Sequence, residues 1–111
     1  MTTDPKQALD AAKTRMAAFA KAAPGAMRGF SGIAAAVGKD GALSAAQKEL
    51  VATALAVAKG CDDCILYHVA AAKQLGATEA ALVETLEVCV EMGGGPAIMY
   101  AGKALEAYRA D

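Results

Sequence analysis

An all-α fold of about six short helices is what this 111-residue sequence predicts. Three observations carry that prediction. No run alternates apolar and polar residues in the manner of a half-buried strand. Alanine, the strongest helix former, fills long stretches such as AAKTRMAAFAKAA and VAAAKQLGATEAALVE. Helix start and stop signals also recur along the whole chain.

In DPKQ, Asp4 stands as an N-cap, Pro5 at the first helical position and Gln7 in the capping-box place. That helix should reach about Ala23, where the PG pair at 24–25 stops it. A second helix, loosened by Gly29 and Gly32, spans roughly 26–37 and ends in GKDG. Ser44 with Gln47 forms a further capping box. It opens a helix with Leu50, Val51, Ala54, Leu55 and Ala58 on one stripe, closed by Gly60. The fourth helix starts near Cys61 and ends at Gly76. Thr78 caps a fifth, which carries Leu82, Val83, Leu86 and Cys89 up to GGGP at 93–96. Pro96 opens the last helix, to about Tyr108. No linker, low-complexity segment or internal repeat appears, so residues 1–111 read as one domain.

The composition bounds the function. With 56% hydrophobic residues, many of them alanine, and only two Phe, three Tyr and no Trp, a lone chain fills a thin core. Partner subunits are then the expected source of the missing burial, and an obligate oligomer is expected. The net charge is −1 with acids and bases interspersed, so no basic stripe marks a nucleic-acid partner. No apolar run approaches the roughly 18 residues of a membrane span. The start, MTTDPKQALD, carries an acid and no hydrophobic stretch, unlike a secretion signal, and a cytoplasmic location is the expectation. In that setting three cysteines point to redox or metal use rather than a disulfide framework.

The stretch GCDDCILYH at 60–68 concentrates the chemistry. On a helix, Cys61, Cys64 and His68 fall on one face. Cys61 at the helix start meets unpaired N–H groups and the positive end of the dipole, which favour a thiolate. Cys64 lies one turn on, close enough for a disulfide, and His68 could take or relay a proton. Three readings compete on spacing alone. A redox dithiol needs CxxC at a helix start. A zinc site has three ligands here, with Cys89 or Glu49 as a fourth, but no second CxxC or HxxxH pair. In the third reading, small buried cysteines simply pack against a satisfied histidine.

The stretch KELVATALAVAKGCDDCILYHVAAAKQLGATEAALVETLEVCVEMGGGPAIMYAGKAL resembles the core of the AhpD-like, or carboxymuconolactone decarboxylase, superfamily. The shared features are an acid before an apolar helix, GCxxCxxxH, a GAT turn, and MGGGP before a final helix. They cover about residues 44–106, and PGAMRGFSGIAAAVGKDGALS fits the pattern more loosely. The resemblance implies an AhpD-like helical domain, built into a homo-trimer or homo-hexamer. It also implies a CxxC pair that reduces alkyl hydroperoxides, with Glu49 and His68 as proton relay. By that resemblance Cys64 attacks the peroxide and Cys61 resolves the sulfenic acid into a Cys61–Cys64 disulfide. No prosthetic group is implied. The substrate is a small hydroperoxide or a disulfide, and electrons come from an external thiol or disulfide reductant. The dipole argument alone selects Cys61 as the more acidic thiol, whereas a base one turn away favours Cys64.

One position departs from the pattern. Some alkylhydroperoxidases of the family have a second histidine directly before the second cysteine, where this chain has Asp63, preceded by Asp62. Two carboxylates beside a thiolate should raise its pKa and slow the reaction, although acids also suit a helix start. The decarboxylases of the superfamily generally lack the redox CxxC. A carboxymuconolactone-type decarboxylase is therefore the first alternative and a zinc-binding interaction module the second.

Other candidates have plainer readings. Glu49 on periodicity alone is a solvated acid in its helix's first turn, and Cys89 sits on an apolar stripe and reads as core. GGGP has no Lys-Ser/Thr after it and no strand before it, so a close helix–helix corner fits better than a phosphate loop. Met92, Met99 and Tyr100 line either a pocket for an apolar peroxide or, preferably, a subunit interface. Tyr67 has no role legible from sequence.

Overall fold

The computed structural model describes residues 4–110. The first three residues of the N-terminal stretch weighed above as a leader, and the last residue of the 1–111 domain, lie outside it. Six α-helices make up the described chain: α1 (Pro5–Ala22), α2 (Pro24–Val37), α3 (Ala45–Lys59), α4 (Asp62–Gln74), α5 (Glu79–Gly93) and α6 (Gly95–Arg109). There is no strand among the described residues.

The caps follow local chemistry. The Asp4 carboxylate accepts from the Gln7 N–H at 3.1 Å. At Ser44 both halves of the capping box form: its hydroxyl accepts from the Gln47 N–H, and the Gln47 side chain accepts from the Ser44 N–H. Thr78 caps α5 through the Ala81 N–H. Helix α2 begins two residues earlier than its sequence implies. Pro24 takes its first turn, where a missing N–H is harmless, so the break from α1 shrinks to Ala23. Similarly α6 starts at Gly95, and Gly94 alone, at φ +67°, separates it from α5. A Cβ on the preceding Gly93 would come within 2.9 Å of Ala97 Cβ. GGGP is thus a tight helix–helix corner.

The core lies among α3, α4, α5 and α6. Val57, Ile65, Val69, Leu82 and Leu86 interlock there with small residues Ala56, Ala97 and Ala104. The alanines let the helices approach closely, and the large side chains supply most of the buried area. At one end, the Tyr108 hydroxyl donates to the Ala77 carbonyl at 2.8 Å and Lys73 donates to the carbonyl of Tyr108. These bonds tie the end of α6 to the α4–α5 turn. Helix α1 packs on α4, and α2 packs on α1 without burying a single residue. No described helix is long and apolar enough to cross a membrane.

Candidate active site

The site is built on the two-residue turn that joins α3 to α4. Gly60 ends α3 in the left-handed conformation, at φ +69°. A Cβ there would also sit 3.1 Å from the Tyr100 ring, so glycine is demanded twice. The turn delivers Cys61 to the N-cap of α4. Its N–H donates to the Ala56 carbonyl, and its sulfur accepts from the Cys64 N–H at 3.2 Å. Cys61 and Cys64 form a disulfide, with their Cα atoms 5.3 Å apart.

His68 stands one turn beyond Cys64. Its Nδ1 is 3.1 Å from each carboxylate oxygen of Glu49 on α3. A carboxylate only accepts, so Nδ1 carries the hydrogen and Nε2 keeps the lone pair in the neutral ring. On the same helix, the hydroxyl of fully buried Thr53 donates to the backbone carbonyl of Glu49 at 2.9 Å. Glu49 lies beyond the first turn of α3 and its side chain is only 21% exposed. A solvated first-turn acid does not describe it. Tyr67 sets its ring edge-on to His68, with centroids 5.3 Å apart. Its own sequence neighbour is thus its contact, which no spacing rule had singled out.

Both acids between the cysteines are paired. Asp62 accepts from Lys103 on α6 at 3.0 Å, and Asp63 accepts from Arg15 on α1 at 2.8 Å. Asp62 in turn holds the Lys103 ammonium above its ordinary pKa, chiefly through that hydrogen bond. Lone carboxylates repelling a thiolate are therefore not what the fold contains. The sequence hides both cations, which lie 41 and 48 residues from their partners.

Cys89 is half-buried and free, with its sulfur 3.8 Å from the Ala54 carbonyl. Burial pushes its thiol up, and it packs against the core as its apolar stripe implies. Among the described residues, no three His, Cys, Asp or Glu side chains are grouped to hold a metal ion. An apolar groove of about 560 Å³ opens on the other side of Gly60, lined by Leu55, Val88, Met92, Pro96 and Tyr100. It does not include Cys61, Cys64 or His68. Met92 is 82% and Met99 71% exposed, so both are surface groups in the single chain.

Comparison with known proteins shows what this chain is similar to. The profile of the carboxymuconolactone decarboxylase family matches residues 24–107. An uncharacterized protein of Cupriavidus necator is 50% identical over 105 residues, covering 95% of this chain and 93% of that protein. "Uncharacterized protein 4 in cox locus" of Paracoccus denitrificans is 40% identical over 76 residues, 68% of each chain. The crystal structure of an apo carboxymuconolactone decarboxylase family protein from Legionella pneumophila superposes with a TM-score of 0.89. It has 48% identity and covers 94% of this chain and 93% of that one.

Proposed function

This chain belongs to the carboxymuconolactone decarboxylase family, and from that premise we propose that it is a thiol-dependent peroxidase or disulfide reductase. One observation carries the reading. The Cys61–Cys64 pair heads α4, and one turn on stands a histidine whose outer nitrogen is freed by a carboxylate on the inner one.

In the reduced chain, His68 Nε2 takes the Cys64 proton and Glu49 stabilises the imidazolium. The Cys64 thiolate attacks one peroxide oxygen, an S–O bond forms, and the O–O bond breaks. The leaving alkoxide departs as an alcohol with the proton from His68, and Cys64 becomes a sulfenic acid. The Cys61 thiol then attacks that sulfur, releasing water and closing the disulfide. An external dithiol returns two electrons and two protons by thiol–disulfide exchange, and no prosthetic group is needed. A resting dithiol requires a reducing compartment, which fits a cytoplasmic protein. The bare apolar face of α2 supports a homo-oligomer, with the trimer or hexamer of the resemblance as the expected size.

The test is intact-mass analysis of the reduced protein before and after a small organic hydroperoxide. Loss of two hydrogens within seconds, mapped to Cys61 and Cys64, is expected. Cys64→Ser should abolish it, Cys61→Ser should trap a sulfenic acid, and His68→Ala or Glu49→Gln should slow it. A second reading uses the same histidine. The His68–Glu49 pair is a competent base for proton abstraction in a decarboxylase, and turnover of a carboxymuconolactone that survives loss of both cysteines would favour it.

A further inference from the structure

The first turn of α4 holds two carboxylates between its two cysteines, yet each is met by a cation from a different helix. Arg15 reaches Asp63 from α1, and Lys103 reaches Asp62 from α6. The remaining charged or titratable groups around this turn are known. From α3 comes Glu49, already committed to His68. From α4 itself come His68 and Tyr67, the latter with Lys13 of α1 5.9 Å from its ring centre. From α6, Tyr100 and Glu106 act on Lys103. Arg15 and Lys103 are the cations bound to the two acids, while Lys59, which ends α3 two residues before Cys61, pairs with neither.

We propose that Arg15 and Lys103 are positioning residues for the dithiol: by neutralising Asp63 and Asp62 they let the head of α4 hold a thiolate at Cys64. They touch neither sulfur and act through the acids. The inference rests on the dithiol reading of the site. With both pairs intact, the turn presents the helix dipole and two charge-neutral pairs to the sulfur. With a cation removed, it presents an uncompensated carboxylate one or two residues from Cys64, and like charge disfavours the thiolate.

All four side chains of the pairs are more than half exposed, so water and salt screen them. The expected shift is correspondingly modest, about half a pH unit per charge, or about a three-fold change in thiolate at neutral pH.

The experiment measures alkylation of Cys64 by iodoacetamide, a neutral probe, in the reduced full chain. Labelled peptides separate Cys64 from Cys61 and Cys89, and the rate is followed against pH. Arg15→Ala should move the Cys64 midpoint up by about half a pH unit, and Asp63→Asn should move it down. Arg15→Ala with Asp63→Asn should return close to the parent value, and Arg15→Lys should stay there. Lys103→Ala and Asp62→Asn should behave as the corresponding pair. All shifts should collapse between about 0.01 M and about 1 M salt, as the screening length falls from about 30 Å to about 3 Å.

A bridge that merely holds α1 against α4 is lost equally in Arg15→Ala, in Asp63→Asn and in the double variant. Shifts of one sign in all three, or none in any, overturn the proposal. So do shifts that ignore salt. The assay reads thiol ionisation and not peroxide turnover. A Cys64 that titrates as stated but resists hydroperoxide defeats the functional reading alone, and rapid oxidation with a midpoint indifferent to Arg15 defeats this inference alone.

Discussion

Helices α2 and α4 have almost the same length, 14 and 13 residues, and sit in the chain very differently. Helix α4 is wrapped by α1, α3 and α6 and buries Ile65, Val69 and Ala72 completely. Helix α2 leaves Phe30, Ile33 and Val37, at i, i+3 and i+7, between 54% and 65% exposed. Those three form an apolar stripe as clear as any in the chain, but nothing among the described residues covers it. An apolar stripe shows that a helix has a face to bury, and not whether the burying surface belongs to the same chain.

The comparison breaks most visibly at Ile65. It is 1% exposed at the centre of the α3–α6 core, on the same helix as the dithiol. Ile65→Ala should cost about 2–5 kcal/mol, a large share of the about 5–15 kcal/mol that holds a small domain together. Denaturant titration measures the loss. A change below about 1 kcal/mol would mean that the core tolerates a cavity there and that α4 is less firmly set than its burial implies.

Ile33→Asp asks the same question of α2. The residue is 65% exposed in the single chain, so the fold should survive, with helix content unchanged by circular dichroism. The proposed oligomer should not survive: sedimentation velocity should give the mass of one chain, and any dependence of melting temperature on protein concentration should vanish. A variant that sediments as the parent would place the subunit contact elsewhere, with the groove beside Met92 as the next candidate.

The same asymmetry governs what could be read without a structure. Helix count and most boundaries were legible because caps are local chemistry: Ser44 with Gln47, Thr78 and Gly60 each announce themselves within four residues. The error at the start of α2 has the same origin, since Pro24 both ends one helix and begins the next, and no local rule says how few residues separate them. At the site, Cys61, Cys64 and His68 were legible from helical spacing. Glu49 needed the family resemblance, because its meeting with His68 bridges 19 residues across two helices. Arg15 and Lys103 left no signal at all: a surface cation becomes part of a site only when packing brings another helix alongside. Tyr67 had no legible role for a different reason. Adjacent residues on a helix do not share a face, and only its large ring reaches back to His68.

At the far end of α4 the ties are weaker and the expected effects smaller. Tyr108 donates to the Ala77 carbonyl just past the helix, from a half-buried position. Tyr108→Phe removes the donor and keeps the ring, so about 1 kcal/mol of stability should go. Urea midpoints compare the two proteins at a fixed slope. No change would mean that water replaces the hydroxyl at Ala77 without loss.

The smallest effect belongs to the surface of the packed region, where Arg109 on α6 donates twice to Glu79 on α5, both at 2.9 Å. That hydrogen bonding, and then the guanidinium charge, hold the Glu79 carboxyl below its ordinary value of 4.5. A carboxyl depressed in the folded state stabilises above its unfolded value, and the contribution is lost as pH falls through the folded value. Glu79→Gln should therefore lower the melting temperature slightly at neutral pH. The gap between the two proteins should close as acid protonates Glu79, and close as well in about 1 M salt at neutral pH, because the pair lies in water. An unchanged melting temperature in Glu79→Gln at neutral pH would mean that the ion pair adds nothing to folding. The tie between α5 and α6 would then rest on the Gly94 corner and the core alone.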